Sequence, residues 1–320
     1  MWRAAVSRIF FSVDLHGGTG VWKKWLRAPE IYQADTLMFC GDLTGKVLVA
    51  LIRQKDGTYL MNYGEPRTLT TPAEVEEAKA TLEMGGMYPY ECTQEEVDEF
   101  RVSKRKVAEV MTELMKQRLR DWIDMLLQKV EPKKLKAVIM PGNDDAYEVD
   151  AVIREYEDRG VIWPLDNVIE VGGFETISLS EVNPTPWNSP REVEEKDLAK
   201  KIESLANKLT DPGKAFFNFH APPYMTAIDV APKLKRDLSP IMGPGGVEMI
   251  HVGSKAVKDA IKQYQPLLGL HGHIHEGGGM GKVGKTPVLN PGSEYGENIL
   301  RAFMIVTDEK GVKGYWRVEG

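Results

Sequence analysis

The chain has 320 residues, enough for two domains or one large α/β unit, and carries 41 Lys and Arg against 47 Asp and Glu, a formal net charge of −6. Its 42% hydrophobic and 28% charged residues are globular proportions; they exclude a disordered chain, a collagen-like repeat and a disulfide scaffold. Mild acidity argues against a surface built around a nucleic-acid backbone, though not against a nucleotide ligand.

The two cysteines, Cys40 and Cys92, form no framework of bridges and no Cys-rich metal site. Cys40 closes the apolar run Leu37–Cys40 and reads as a small buried residue. The role of Cys92 is not legible. No run of about 18 apolar residues occurs, so no membrane span is expected. Met1 to His16 lacks a signal-peptide cleavage pattern, and a soluble, cytoplasmic protein is expected.

In chain order, Ile9–Val13 predicts a first strand, Val21–Leu26 a helix and Thr36–Cys40 a second strand. Between about Lys46 and Lys134 the rhythm changes. A hairpin over Val47–Leu60 and a polar middle precede one long helical pattern. Thr93 and Glu96 have capping-box spacing. Val107, Met111, Met115, Leu119, Trp122, Leu126 and Val130 then recur every three or four residues, and Pro132 ends the pattern. Strands follow at Ala137–Met140, Ala215–Phe219 and Pro266–Leu270, with a helix at Ser254–Tyr264 before the last. Val288–Leu289, Phe303–Val306 and Gly314–Val318 predict an antiparallel finish. Strands alternating with helices are the rhythm of an α/β protein.

Five polar pieces sit just beyond predicted strands: Asp14-Leu-His16, Gly41-Asp42, Gly142-Asn143-Asp144-Asp145, His220, and Gly272-His273-Ile-His275. In open α/β folds the carboxyl ends of strands converge on one crevice, so these pieces can meet. An extended backbone would turn Asp14 and His16, two apart, to the same side, and likewise His273 and His275. Carboxylate, imidazole and amide oxygen without thiolate suit Mn, Fe, Zn or Ni rather than a structural zinc site. Seven candidate ligands are too many for one ion and right for two that share a bridging carboxylate.

This ordered set resembles the calcineurin-like metallophosphoesterase superfamily, whose pattern is D-x-H, G-D, G-N-H-[DE], H and G-H-x-H. The phrases Gly41-Asp-Leu-Thr-Gly-Lys46, His220-Ala-Pro-Pro-Tyr224, His273-Ile-His-Glu276 and Asn290-Pro-Gly-Ser293 resemble the Icc-related predicted phosphoesterases. The resemblance implies a β-sandwich flanked by helices, formed by residues 1–320 as one domain with an insertion at about 47–133. It implies one divalent ion on Asp14, His16 and His275, a second on Asn143, His220 and His273, and Asp42 between them. It further implies hydrolysis of a phosphoester by a hydroxide held between the two ions, with manganese the first expectation and Fe, Zn or Ni the others. The alternatives are a scaffold of the same fold without catalysis, and a nuclease. The expected partner is a small-molecule phosphoester, nucleotides included. Neither a membrane nor a nucleic acid is expected, and self-association is left open.

One position departs from the pattern. Asp144 stands where the family usually has a His that protonates the leaving group or stabilises the transferring phosphoryl. Beside two dications its pKa should be pushed down, which makes it a poor general acid and favours phosphodiesters over doubly charged monoesters. Asp145, at the family's acidic position, is expected to orient the loop. His271 is read as packing, with a role behind the ligands as its alternative; His251 has no visible partner. Gly279-Met-Gly-Lys-Val-Gly284-Lys285-Thr286 has the spacing of a nucleotide-binding loop. Pro287 and Pro291 follow it, so no helix can begin there, and a hairpin turn is expected.

Overall fold

Short apolar runs buried on both faces dictate the architecture. The computed structural model describes residues 6–129 and 135–320. Two six-stranded sheets form its centre. The first runs in the order Gly311–Glu319, Arg301–Asp308, Ser7–Ser12, Thr36–Cys40, Lys136–Met140, Val161–Ile162. The second runs Gly279–Val283, Thr286–Asn290, Leu268–Leu270, Phe216–Phe219, Phe174–Leu179, Val168–Val171. Ser7–Ser12 to Val161–Ile162 are paired in parallel, as are Phe174–Leu179 to Thr286–Asn290. Antiparallel strands finish three of the four edges.

Side-chain alternation divides the second sheet between two apolar cores. Phe216 packs into one core with Ile9, Phe11, Leu268 and Leu289, whereas Phe217 and Phe219 face a second. In that second core they meet Leu198, Ile202, Val257 and Ile261 of the helices Glu195–Ala206 and Lys255–Tyr264. A strand covered on both sides has no solvent-exposed face. The first core holds residues of both sheets together with Trp22, Trp25, Val149 and Val152 from helices Thr19–Trp25 and Glu148–Arg154. The expected β-sandwich flanked by helices is the observed fold.

The segment between Thr36–Cys40 and Lys136–Met140 has two parts. Its first part is a four-stranded sheet, ordered Arg67–Leu69, Tyr59–Met61, Leu48–Arg53, Tyr88–Cys92, covered by the helix Pro72–Met84 and closed around Val49, Leu51, Val75 and Leu82. The expected hairpin is there, but the polar middle contains a helix. Thr71 caps it reciprocally with Glu74, as Thr93 does with Glu96 in the next helix. The single long helix expected after Thr93 is two, Gln94–Val102 and Lys104–Lys129, separated at Ser103, whose backbone is extended. The second of these buries Leu119, Trp122, Ile123 and Leu126 in the first core. Val130 and the expected stop at Pro132 lie outside the described residues. Gly279–Val283 and Thr286–Asn290 form a hairpin turning at Gly284 (φ 61°), so the loop-like spacing is a turn. Among the described residues no helix is long and apolar enough to cross a membrane.

Candidate metal centre

The strands Ser7–Ser12, Thr36–Cys40, Lys136–Met140, Phe216–Phe219 and Leu268–Leu270 end at one crevice, and the five polar pieces begin there. The backbone that brings them together is not extended. Asp14 (φ 56°), His16 (φ 44°), Asp42 (φ 45°) and His273 (φ 68°) all occupy the left-handed region, which non-glycine residues enter at a cost and which clusters at functional sites. Convergence therefore comes from tight loops, not from strand alternation. Backbone bonds stitch those loops: Asp14 N–H donates to Gly41 O (3.0 Å), His16 N–H to Asp42 O (2.8 Å) and Gly17 N–H to Leu43 O (2.8 Å).

Asp145 is the clamp of the arrangement. Its buried carboxylate accepts from Gly142 N–H (2.8 Å), Leu43 N–H (2.9 Å), Thr44 N–H (2.8 Å) and the Thr44 hydroxyl (2.6 Å). With its oxygens so occupied, it orients two loops. Glycines leave room for the packing. A Cβ on Gly41 would lie 2.0 Å from His220 Nδ1, and one on Gly142 would lie 2.2 Å from Asp42 N.

Six of the seven residues singled out as ligands fall into two groups of donors. Donor atoms of Asp14, His16 and His275 lie within 4.8 Å of one another, as do those of Asp42, His220 and His273. A third such group joins His16, Asp42 and Asp144. Asp42 Oδ2 stands between the first two sets, 3.7 Å from His16 Nε2 and 3.4 Å from His220 Nε2. Asn143 donates from Nδ2 to Ser189 Oγ (2.8 Å) and Asp144 Oδ1 (3.1 Å).

Buried polar atoms without partners test whether metal ions fit. Asn143 Oδ1 and both ring nitrogens of His220 are buried and accept or donate no hydrogen bond among the described residues. Such orphans are costly and call for an unseen partner. His16 Nε2 meets His275 Nε2 at 2.9 Å. Oxygen and imidazole donors converging without thiolate fit divalent Mn, Fe, Zn or Ni.

Protonation differs among these residues. Burial lowers His16 to about 3, against the pull of Asp42, and lowers His273 to about 3. Both are neutral, as a ligand must be. Burial alone would lower His220 too, but Asp42 and Asp14 outweigh it and raise it to about 9. Burial works to raise Asp42, yet His220 and His16 hold it well below the usual carboxylate range. Burial leaves Asp14 raised despite His220 and His275.

At Asp144 the protein's own groups act alone. Burial first, then the Asp42 carboxylate, raise it to about 6, against the pull of Lys46. The expected depression rests on two dications; the protein's own groups push the other way. The Lys46 ammonium closes on Asp144 Oδ2, and His16 Nδ1 is 3.7 Å from the same oxygen.

Lys46 is thus a site residue that nothing in the sequence singles out beyond its place in Gly41-Asp-Leu-Thr-Gly-Lys46. Ser189 and the buried Arg191 come from a proline-rich loop that carries no motif. Arg191 donates to Asp145 O (2.9 Å) and Ala146 O (3.1 Å) and pairs with Asp150. The Tyr295 ring lies against that of His16, 4.8 Å centroid to centroid and tilted by 40°. His271 is buried, and its Nδ1 lies 2.8 Å from Phe219 O and 2.9 Å from Ala221 O, so it ties down both neighbours of His220. His251 has a partner after all: Nδ1 lies 2.8 Å from Asp229 Oδ1.

No family model matches the chain. Over 162 residues, 49% of its length, the chain is 30% identical to the uncharacterized protein MJ1162 of Methanocaldococcus jannaschii, and the match spans 64% of that relative, less than two thirds. One crystal structure is similar over 98% of this chain and 99% of its own, with a TM-score of 0.55 and 15% identity. The crystal structure of TT1561 from Thermus thermophilus is similar over 95% and 99%, with a TM-score of 0.50 and 13% identity. At such identities the likeness is one of fold. The fold that this chain shares with them is a β-sandwich flanked by helices, and the five polar pieces stand in order at its strand ends.

Proposed function

We propose that the chain hydrolyses phosphoesters with two divalent metal ions, and that phosphodiesters are its preferred substrates. The observation that carries this reading is the position of Asp42 Oδ2, shared between a set of donors on His16 and a set on His220. Asp14, His16 and His275 would hold one ion; Asn143, His220 and His273 the other; Asp42 would serve both. Bound there, such ions polarise a phosphoryl group and make water nucleophilic near neutral pH. Manganese is the proposed metal, with iron, zinc and nickel compatible with the same donors.

The chain's own residues do the rest. Asp145 fixes the loops that carry Asp42 and Asn143. His271 holds the segment of His220. Asp144, in place of an imidazole, offers no ready acid of the usual kind, so leaving groups that need little protonation, such as aryl oxides, are favoured. Its side chain is 11% exposed, whereas that of Lys46 is 49% exposed. The Asp144 carboxylate adds a negative charge beside the centre, from which a doubly charged monoester loses more than a singly charged diester. Cys40 and Cys92 are both buried free thiols, which supports a reducing, cytoplasmic setting.

The test compares kcat/KM of the manganese-loaded protein for bis-aryl and mono-aryl phosphates, with single-stranded DNA as a third arm. The diester should be preferred, and Asp144→His should help poor alkoxide leaving groups more than aryl ones. A tenfold preference for the monoester, about 1.4 kcal/mol in the wrong direction, overturns the diester reading. Preference for DNA makes the protein a nuclease.

A further inference from the structure

Among the described residues Lys46 is the one lysine or arginine in direct contact with Asp144, and its stem leaves the backbone at a fixed point. A Cβ on the preceding Gly45 would come 2.1 Å from Gly86 O and 2.7 Å from His16 O, and Gly45 N–H donates to the Tyr88 hydroxyl (3.2 Å). The neighbouring residues Leu43 and Thr44 are bound through their amides to Asp145. At the other end the ammonium rests on Asp144 Oδ2. Asp144 is itself placed by its N–H, which donates to Asp42 Oδ1 (2.9 Å), and by Asn143 Nδ2, which donates to its Oδ1 (3.1 Å).

An ammonium has three donors. Asp144 takes one, and with the side chain half-exposed the others remain available at the open side of the centre. Asp144 Oδ2 also lies 3.7 Å from His16 Nδ1, and a carboxylate oxygen of Asp144 is within 4.8 Å of donor atoms of His16 and Asp42, so the ammonium bonded to Asp144 stands beside the place where a phosphoryl group would be held. Lysine is a natural point charge for such an anion.

We propose that Lys46 is the phosphoryl-binding cation of this site and that Asp144 is its positioning residue, the pair standing where the family's imidazole would be. This rests on the phosphoesterase reading. Asp144 then acts through Lys46 and not as an acid in its own right. A phosphoryl oxygen of the substrate accepts from the ammonium while Asp144 keeps the lysine stem in place. No bond is made or broken in this step.

The experiment measures inorganic phosphate binding to the metal-loaded protein by calorimetry, beside metal content and steady-state kinetics. Lys46→Met should keep the parent's metal content and melting temperature while weakening phosphate binding about tenfold and raising KM more than it lowers kcat. Lys46→Arg should restore most of the binding. Asp144→Asn should change phosphate affinity and KM in the parent background and change neither in Lys46→Met. Phosphate bound equally well by Lys46→Met and the parent, at equal metal content, overturns the role of Lys46 and leaves the phosphoesterase reading standing. An effect of Asp144→Asn that is the same in both backgrounds overturns its action through Lys46. A parent that takes up no divalent metal overturns the phosphoesterase reading, and this proposal falls with it.

Discussion

His16 and His275 meet nitrogen to nitrogen, Nε2 to Nε2 at 2.9 Å, across 259 residues of sequence. Burial holds His16 neutral, at about 3. Two imidazoles stand head to head beside Asp14, inside a crevice with further orphaned donors, an arrangement suited to a cation.

Metal uptake should release a proton. Asp42 and Asp14, outweighing burial, raise His220 to about 9, so below that pH the ion-free site keeps a proton that a ligating imidazole must lose. The raised value contributes stability to the ion-free protein that is fully present below about 6.5 and lost as pH rises through about 9. Metal affinity should therefore climb between pH 7 and pH 9 and level off above. Calorimetry at pH 7.5 in buffers of different ionisation enthalpy should show about one proton released per protein. A binding heat independent of buffer would contradict this.

Gly41 should tolerate no side chain. Its φ is 124°, and a Cβ would lie 2.0 Å from His220 Nδ1. Gly41→Ala should cost about 2 kcal/mol or more and weaken metal binding as well. Gly279→Ala, where a Cβ meets nothing within 4 Å, should change stability by less than about 0.5 kcal/mol. Denaturant titration of the two variants reads the difference; equal midpoints would rule out the steric argument.

The segment 47–133 should not be removable as an appendage. Trp122 stacks on Trp22 at 5.2 Å, donates to Thr19 Oγ1 (3.2 Å) and accepts from Trp22 Nε1 at its carbonyl (3.1 Å). Trp122→Ala should cost about 3–5 kcal/mol. Deleting residues 47–133 should expose the faces of Trp22 and Trp25 and drive aggregation. A deleted protein that stays monomeric and melts with the parent would show the segment to be separable.

Much of this molecule was legible in its sequence for a physical reason. Strands buried on both faces, such as Ala137–Met140 within Lys136–Met140, are unbroken apolar runs, and the polar residues that end them are the site. What escaped has weaker marks. Phe174–Leu179 alternates Phe, Glu, Thr, Ile, Ser and Leu, so no run stands out. The helix Pro72–Met84 buries only Val75, Ala78 and Leu82, too narrow a stripe to show against its charges, although Thr71 and Glu74 had the same capping spacing that revealed Thr93 and Glu96. Lys46 and Ser189 reach the centre through contacts 98 and 46 residues away along the chain from Asp144 and Asn143, and nothing local records such a contact. The left-handed backbone at Asp14 and Asp42 is likewise a product of the loops that bond to each other.

The most direct measurement is the metal content of Asp42→Ala beside that of Asp14→Ala, each purified after loading with manganese. If Asp42 is shared between two ions, its loss should empty both positions, while Asp14→Ala should empty chiefly the one shared with His16 and His275. Elemental analysis should then give about two ions per chain in the parent, about one in Asp14→Ala and close to none in Asp42→Ala. Full metal content in Asp42→Ala would contradict the shared carboxylate, and with it the two-ion centre.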